Sequence, residues 1–196
     1  MPFDAVLSVQ AIDRQHAERA TKIWEDLDRY ERVIADSRPE VVLECGTWHG
    51  WSAAWFAGRV ESVVTVDVVP RVDPDALRDS VTYVVGDSVA PETVERALAA
   101  CAGHRTMVVL DSDHAQAHVE AEIAAYSDVV SPGCYLVVED GIVRWAPPGW
   151  PARDAGPLEA VERLLRDDPR FVLDVDVEDM YPVTMHPAGW WRRVVP

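Results

Sequence analysis

Two short apolar runs in the middle of the chain each end in acid. Met107–Leu110 leads into Asp111, Asp113 and His114, and Tyr135–Val138 leads into Glu139 and Asp140. Carboxylates crowded into one small volume repel one another unless a cation joins them. Asp111, Glu139 and Asp140 offer hard oxygen ligands, which suit Mg²⁺ and also admit Ca²⁺ or Mn²⁺. A metal held there would bind substrate oxygens and lower the pKa of a hydroxyl. His114, three residues past Asp111, is spaced to take the proton as a general base. Asp113 is better suited to capping a helix that begins near His114. His114 and His118 are four apart, but the H-E-x-x-H pattern of zinc helices is absent.

A second group of residues lies earlier. Glu44-Cys45-Gly46-Thr47-Trp48-His49-Gly50 follows a strand-like run and opens a helix that carries Ser52. Gly46 and Gly50 let the backbone turn sharply and pass close to a ligand. The stretch is not G-x-G-x-x-G, and no phosphate-cradling lysine follows, so dinucleotide and P-loop readings lose ground. The spacing E-x-G-x-x-x-G after a first strand is instead the pattern of Rossmann-like S-adenosylmethionine-dependent methyltransferases. Glu44, Gly46, Thr47, Trp48, Gly50 and Ser52 are then the expected cofactor loop. Asp67 closes the next strand and is suited to the ribose hydroxyls of an adenosine. Asp87 and Ser88 close the third and would meet the adenine edge, while Asp111 adjoins both cofactor and metal. Trp48 and Trp51 either wall the cofactor pocket or pack in the core.

These residues need a scaffold that brings strand ends together. Val41–Cys45, Val63–Asp67, Val81–Val85, Thr106–Leu110 and Cys134–Val138 read as strands, separated by helices at Trp51–Ala57, Pro91–Ala102 and His114–Val130. Such alternation predicts βαβ units and a mostly parallel sheet. Right-handed crossovers place all the strand-end acids on one edge, where open α/β sheets bind their ligands. The expected fold is a Rossmann-like class I methyltransferase: a mostly parallel seven-stranded sheet with an antiparallel C-terminal strand and helices on both faces, in a single domain, 1–196. Residues 10–36 carry apolar side chains at helical spacing, with Asp13 as a cap, so 1–38 forms a helical cover over the sheet, or a lid or oligomer element. Residues 141–156, rich in Pro and Gly, form a substrate lid loop. Its Trp145 and Trp150 either stack on a ring or clasp the domain or a second subunit. Pro157–Arg166 is helical, Phe171–Glu178 alternates apolar and acidic like a strand with one wet face, and Trp190–Val195 is a last strand. Arg192 and Arg193 would answer the acids of the preceding strand.

The chain has 196 residues, 48% hydrophobic and 27% charged, which is globular composition. Its formal net charge of −16 repels nucleic acid and anionic membranes. Cys45, Cys101 and Cys134 show no metal-type spacing and read as buried thiols of a cytoplasmic protein. The N-terminus lacks a signal-peptide pattern and no run is long enough to span a membrane.

Taken as blocks, LDSDH-x-x-x-H-V, SPG-x-YLVVED, GP-x-x-AV and the terminal HPAGWWRRV resemble the family named for cephalosporin hydroxylase. That family includes metal-dependent sugar O-methyltransferases of macrolide antibiotic biosynthesis. The resemblance spans residues 40 to 195 and is most specific in DSDH and VVED. It implies S-adenosylmethionine as cofactor, Mg²⁺ held by Asp111, Glu139 and Asp140, and His114 as base for an acceptor hydroxyl. In the macrolide members the metal also grips neighbouring hydroxyls of a deoxysugar. For this shorter chain the expectation is that no large N-terminal auxiliary domain is present, so the assemblies of those members need not carry over; its lid loop has its own composition, so the acceptor need not be a macrolide. The expected activity is Mg²⁺-assisted O-methylation of a natural product, at a sugar or vicinal diol, with a homo-oligomer left open. The alternatives are a metal-independent small-molecule methyltransferase and a non-catalytic cofactor-binding subunit of a biosynthetic complex.

Overall fold

The computed structural model describes residues 22–69, 71–145 and 155–195. In chain order the elements are α1 (Trp24–Ser37), β1 (Val41–Cys45), α2 (Trp51–Ala57), β2 (Ser62–Asp67), β3 (Val81–Val85), α3 (Pro91–Cys101), β4 (Thr106–Leu110), α4 (Gln116–Tyr126), β5 (Tyr135–Val138), α5 (Pro157–Leu164), β6 (Phe171–Leu173), α6 (Val175–Glu178) and β7 (Trp190–Arg193). The seven strands form one sheet in the order β3-β2-β1-β4-β5-β7-β6. β1 to β5 pair in parallel, and β7 runs antiparallel to both β5 and β6. The expected seven strands and the antiparallel C-terminal strand are both present.

Every residue of β1, β4 and β5 is buried, as central parallel strands covered on both faces must be. Alternation along β1 shows the two layers. Glu44 feels the charge of Lys22, just ahead of α1, whereas Cys45 meets Glu122 and Tyr126 of α4 on the other side. Tyr30 of α1 packs edge-on against Phe56 of α2 and Trp190 of β7, with ring centroids 5.1 and 4.9 Å apart. β1 lies between β2 and β4, so strand order reverses there. At such a switch point the crevice beyond the carboxyl ends is open to a ligand.

Arg29 is the main tie of α1. It is fully buried. Its guanidinium donates to the carbonyls of Val177, Val183, Glu178 and Tyr181 and to Asp26 Oδ1, at 2.9 to 3.0 Å. Asp26 in turn accepts from Thr184 Oγ1 and the Met185 amide. α1 ends where Arg38 turns left-handed (φ 47°) and its amide closes on Ile34, immediately before Pro39, whose ring disfavours helix in the residue ahead of it.

Several expectations from sequence are corrected. Phe171–Glu178 is not one strand: β6 stops at Leu173, and Asp174 caps the short α6 by accepting from the Val177 amide. Alternation of period two describes a three-residue strand and a single helical turn equally well. Arg193 therefore faces no acidic ladder and donates to the carbonyls of Ser127, Asp128 and Val130; Arg192 stands opposite Val172 and Tyr135. α4 begins at Gln116, and its N-cap is Ala115, without a side-chain cap bond. Asp113 accepts from the Ala115 amide, in a turn just ahead of the helix. The predicted helix over 10–36 and the lid over 141–156 lie partly outside the described residues, as does Trp150. Cys45, Cys101 and Cys134 are buried free thiols. Among the described residues, no helix is long and apolar enough to cross a membrane.

Candidate active site

The strand ends are aligned by ladder bonds that run past the strands themselves. Gly46 donates to Val66 O, Asp111 to Cys45 O, Gly86 to Asp67 O and Glu139 to Leu110 O, at 2.8 to 2.9 Å. Asp67, Asp111 and Glu139 thus stand side by side along one edge, as the parallel-sheet argument requires. Before this edge lies a cavity of 560 Å³, lined among others by Gly46, Trp48, Asp67, Asp87, Ser88, Asp111, Ser112, His114 and His118.

Gly46 has no room for a side chain. Its φ is +102°, and a Cβ there would lie 1.8 Å from the carbonyl oxygen of Asp111. The turn after β1 is pressed onto the end of β4, which puts the backbone of the glycine turn beside the acids. Trp48 adopts a left-handed conformation (φ 48°) rare for a bulky residue. Its amide donates to Asp67 Oδ2 at 2.8 Å, its ring is 53% exposed, and the Arg71 guanidinium lies 5.2 Å from the ring centroid. Trp48 therefore walls the cavity, whereas Trp51 does not line it. Asp67 also accepts from the Val69 amide, so both carboxylate oxygens are aimed by backbone. Asp87 is exposed and accepts from the Val89 amide. Ser88 donates to the buried Glu122, as does Ser112, and Ser88 lies 3.0 Å from His118 Nε2. His118 thus belongs to the cavity floor and not to the acids around His114.

Glu44, Thr47, Gly50 and Ser52 stand behind the lining and shape the turn. Thr47 and Thr65 share a hydroxyl contact, and Thr65 donates to Glu44 Oε2. Burial pushes the Glu44 carboxyl up to about 7.

At the acidic edge, Asp111 Oδ1 lies 3.5 Å and Asp140 Oδ2 3.6 Å from His114 Nε2. One potential ligand atom from each of the three residues falls within 4.8 Å of the others. This is the spacing of a small chelating set, and its oxygen-rich donors suit a hard divalent cation. Glu139 is placed differently. Both its oxygens bind Lys22 Nζ, at 2.6 and 2.5 Å, and the same ammonium bonds Asp111 Oδ2 at 2.9 Å. Tyr30 Oη also donates to Glu139, at 2.5 Å. Burial alone would lower the Lys22 pKa, but Asp111, Glu139 and Glu44 raise it well above the ordinary value, so the ammonium stays charged. Burial alone would raise the Asp111 carboxyl, but Lys22 and His114 hold it below the usual carboxylate range. Burial, then the charge of Asp111, pushes Glu139 up and Asp140 up to about 6. The edge carries more carboxylates than Lys22 neutralises.

Asp140 is the second left-handed residue of the site (φ 56°). Its amide donates to Nδ1 of His186 at 2.9 Å. His186 is buried, and burial brings its pKa down to about 4, which keeps the ring neutral and Nδ1 able to accept.

The sheet order, the glycine turn and the acids at the strand ends define a Rossmann-like class I methyltransferase fold. A CmcI structure with Mg and SAM shares it at TM-score 0.64 and 21% identity, over 87% of this chain and 72% of that one. The MycE methyltransferase of the mycinamycin biosynthetic pathway, with Mg and SAH, matches at TM-score 0.54 and 24% identity, over 70% of this chain and 40% of that one. The chain belongs to the Rhamnosyl O-methyltransferase/CmcI family, whose model matches residues 15–194. Rhamnosyl O-methyltransferase of Mycobacterium tuberculosis is 33% identical over 180 residues, spanning 86% of this chain and 73% of that protein. The Mycobacterium leprae protein of that name is 31% identical over 185 residues, spanning 89% and 80%. The expected family and the expected fold class are both met, and with them the expected class of enzyme, an O-methyltransferase.

Lys22 and His186 escaped the sequence reading. Lys22 carried a usable signal: of 18 basic residues it is the only lysine. His186 stands in the HPAGWWRRV block, but nothing in that block says that its ring receives the Asp140 amide.

Proposed function

We propose that the protein transfers the methyl group of S-adenosylmethionine to a hydroxyl of a rhamnosyl or related deoxysugar on a natural product, assisted by Mg²⁺. The observation that carries the reading is the cluster Asp111–His114–Asp140, of which Asp111 and His114 line the cavity beside Gly46. The relatives' names and the Mg and SAM in the CmcI structure support it. Cavity and donors fit both groups: a backbone cradle that excludes any side chain at Gly46, and hard oxygen donors in excess of the buried ammonium. The sulfonium supplies an activated methyl and its own leaving group. Gly46, Trp48, Asp67, Asp87 and Ser88 would hold the nucleoside, with Glu44, Thr47, Gly50 and Ser52 shaping the loop behind them. Asp111 and Asp140 would hold the metal, whose positive charge lowers the pKa of an acceptor hydroxyl. Glu139 joins as a third ligand only if Lys22 yields. His114 Nε2 would take the hydroxyl proton, and the two carboxylates beside it stabilise the imidazolium that results. The protein's remaining task is to align nucleophile and methyl in line, with water excluded.

The test is incubation with S-adenosylmethionine, Mg²⁺ and a panel of rhamnosides, read by mass spectrometry for a methyl increment. Asp140→Asn or excess chelator should abolish turnover while sparing cofactor binding by calorimetry. His114→Ala should lower the rate by about 10²-fold or more with cofactor affinity unchanged. Full turnover in chelator would refute the metal's role; an unaltered pH–rate profile in His114→Ala would refute the base. The short bonds from Lys22 to Asp111 and Glu139 favour a second reading, metal-independent transfer, in which the ammonium alone orders the acids. The chelator titration separates the two.

A further inference from the structure

We propose that Lys22 is an internal counter-cation seated between Asp111 and Glu139, and that a divalent ion enters this edge by displacing it. The inference rests on the metal-assisted reading above. Lys22 is 4% exposed, and its three bonds to the two carboxylates are 2.5 to 2.9 Å long. Its backbone is not free to drift. The next residue, Ile23, is buried against Ile142 and Met185, and its carbonyl accepts the first amides of α1, from Asp26 and Leu27.

The residue type fits the seat. The chain uses arginine at 17 of its 18 basic positions and lysine only here. A guanidinium is a planar fork, whereas an ammonium is a compact point charge with donors in several directions. Only the ammonium can sit among oxygens that converge from two strand ends as they would around a metal ion. Mg²⁺ approaches its oxygens to about 2.0–2.1 Å. An ion bound to Asp111 Oδ2 and Glu139 would therefore occupy the volume that Nζ fills. Two cations sharing those carboxylates also repel each other strongly in a partly buried site. A metal arriving from the cavity would meet Asp111 Oδ1 first and Asp140 Oδ2 next, since both lie beside His114, which lines the cavity. It gains Glu139 only when Lys22 withdraws. The flexible four-carbon stem allows that withdrawal while Ile23 keeps its place.

The single lysine makes the test clean, because its side chain is the only ε-amine in the protein. The wild-type protein is acetylated with an amine-reactive reagent, in chelator and in saturating Mn²⁺, and the Lys22 peptide is quantified by mass spectrometry. Lys22 should react slowly in chelator and several-fold faster with Mn²⁺. In parallel, Mn²⁺ affinity is measured by calorimetry on Lys22→Met and on the more polar Lys22→Gln. Removing the competing charge should tighten binding about tenfold or more. A labelling rate indifferent to bound Mn²⁺, or an affinity unchanged or weakened in the variants, would overturn displacement. If neither the wild type nor the variants bind Mn²⁺, the metal-assisted reading fails, and this inference with it. The labelling arm uses unaltered protein, so a variant that folds poorly does not leave the question open.

Discussion

Arg29→Met would strip α1 of its main tie to the C-terminal segment. The wild-type guanidinium makes one bond to Asp26 and four to the carbonyls of Val177, Glu178, Tyr181 and Val183, with no exposed surface. Methionine keeps much of the apolar volume, so the loss is mainly polar. Each carbonyl left without its donor costs about 1 kcal/mol, with water entering to recover part of the total. Asp26 keeps Thr184 and the Met185 amide, so it is poorly compensated but not abandoned. Removing one member of a buried, hydrogen-bonded charge pair costs roughly 3–5 kcal/mol, and the sum of the individual bonds falls in that range. For a domain of this size about 2–4 °C of Tm accompanies each kcal/mol, so a fall on the order of 10 °C is expected in thermal unfolding. Arg29→Lys is the sharper arm. Lysine carries the charge but cannot reach five acceptors in one plane, so it should recover less than half of the lost Tm. Near-complete rescue by lysine, or a loss under about 1 kcal/mol in Arg29→Met, would refute the account of α1 as held by guanidinium geometry.

Gly46→Ala should abolish cofactor binding in calorimetry with S-adenosylmethionine. The new Cβ would stand 1.8 Å from Asp111 O, and the strand ends that would have to separate are joined by the Asp111 amide bond to Cys45; near-normal affinity would sink the cradle. His118 tests pH linkage on the cavity floor. Its hydrogen bond to Glu122 raises its pKa in the folded state, so the stability it contributes is fully present below the unfolded value, near 6.5, and is lost as pH rises through the folded value. The stability difference between wild type and His118→Gln, measured by urea unfolding across this range, should therefore be largest at the acid end; a difference that grows with pH would contradict the assignment.

The sheet was legible in the sequence because central parallel strands declare themselves as unbroken apolar runs, as at Val41–Cys45 and Thr106–Leu110. The acids were legible because they directly follow such runs, and parallel strands put their ends together. What period and spacing could not resolve was the C-terminal half of the sheet. There a three-residue strand and one helical turn share the alternation of Phe171–Glu178, and Asp174 is a helix cap that resembles any other strand acid. Lys22 was hidden for a different reason. It lies 89 residues from Asp111 and 117 from Glu139, and no local pattern links a lysine ahead of a helix to two strand ends. The packing of Ile23 and the anchorage of Arg29 bring it there, and both depend on the folded C-terminal segment.

The acidic edge is held from behind so that it can act in front. Lys22 and Tyr30 fasten Glu139, Lys22 also fastens one oxygen of Asp111, and His186 receives the Asp140 amide. Asp111 Oδ1 and Asp140 Oδ2, which none of these bonds occupies, lie beside His114 Nε2. Two bulky or charged residues, Trp48 and Asp140, sit in left-handed backbone. Such strain costs about 1–3 kcal/mol per residue and persists only where surroundings over-determine it. Here it is over-determined by one amide bond each, to Asp67 and to His186. Trp48 lines the cavity and sits beside Asp67, the ribose-binding candidate, and Asp140 follows the end of β5 beside His114, the candidate base. The fold thus spends its strain on fixing dipoles and charges before a ligand arrives. Preorganised groups of that kind avoid reorganisation at the moment of reaction. Replacing His186 with a residue that cannot accept the Asp140 amide should therefore disturb the orientation of Asp140 first, ahead of the apolar core, because the core contacts of β5 do not depend on that bond.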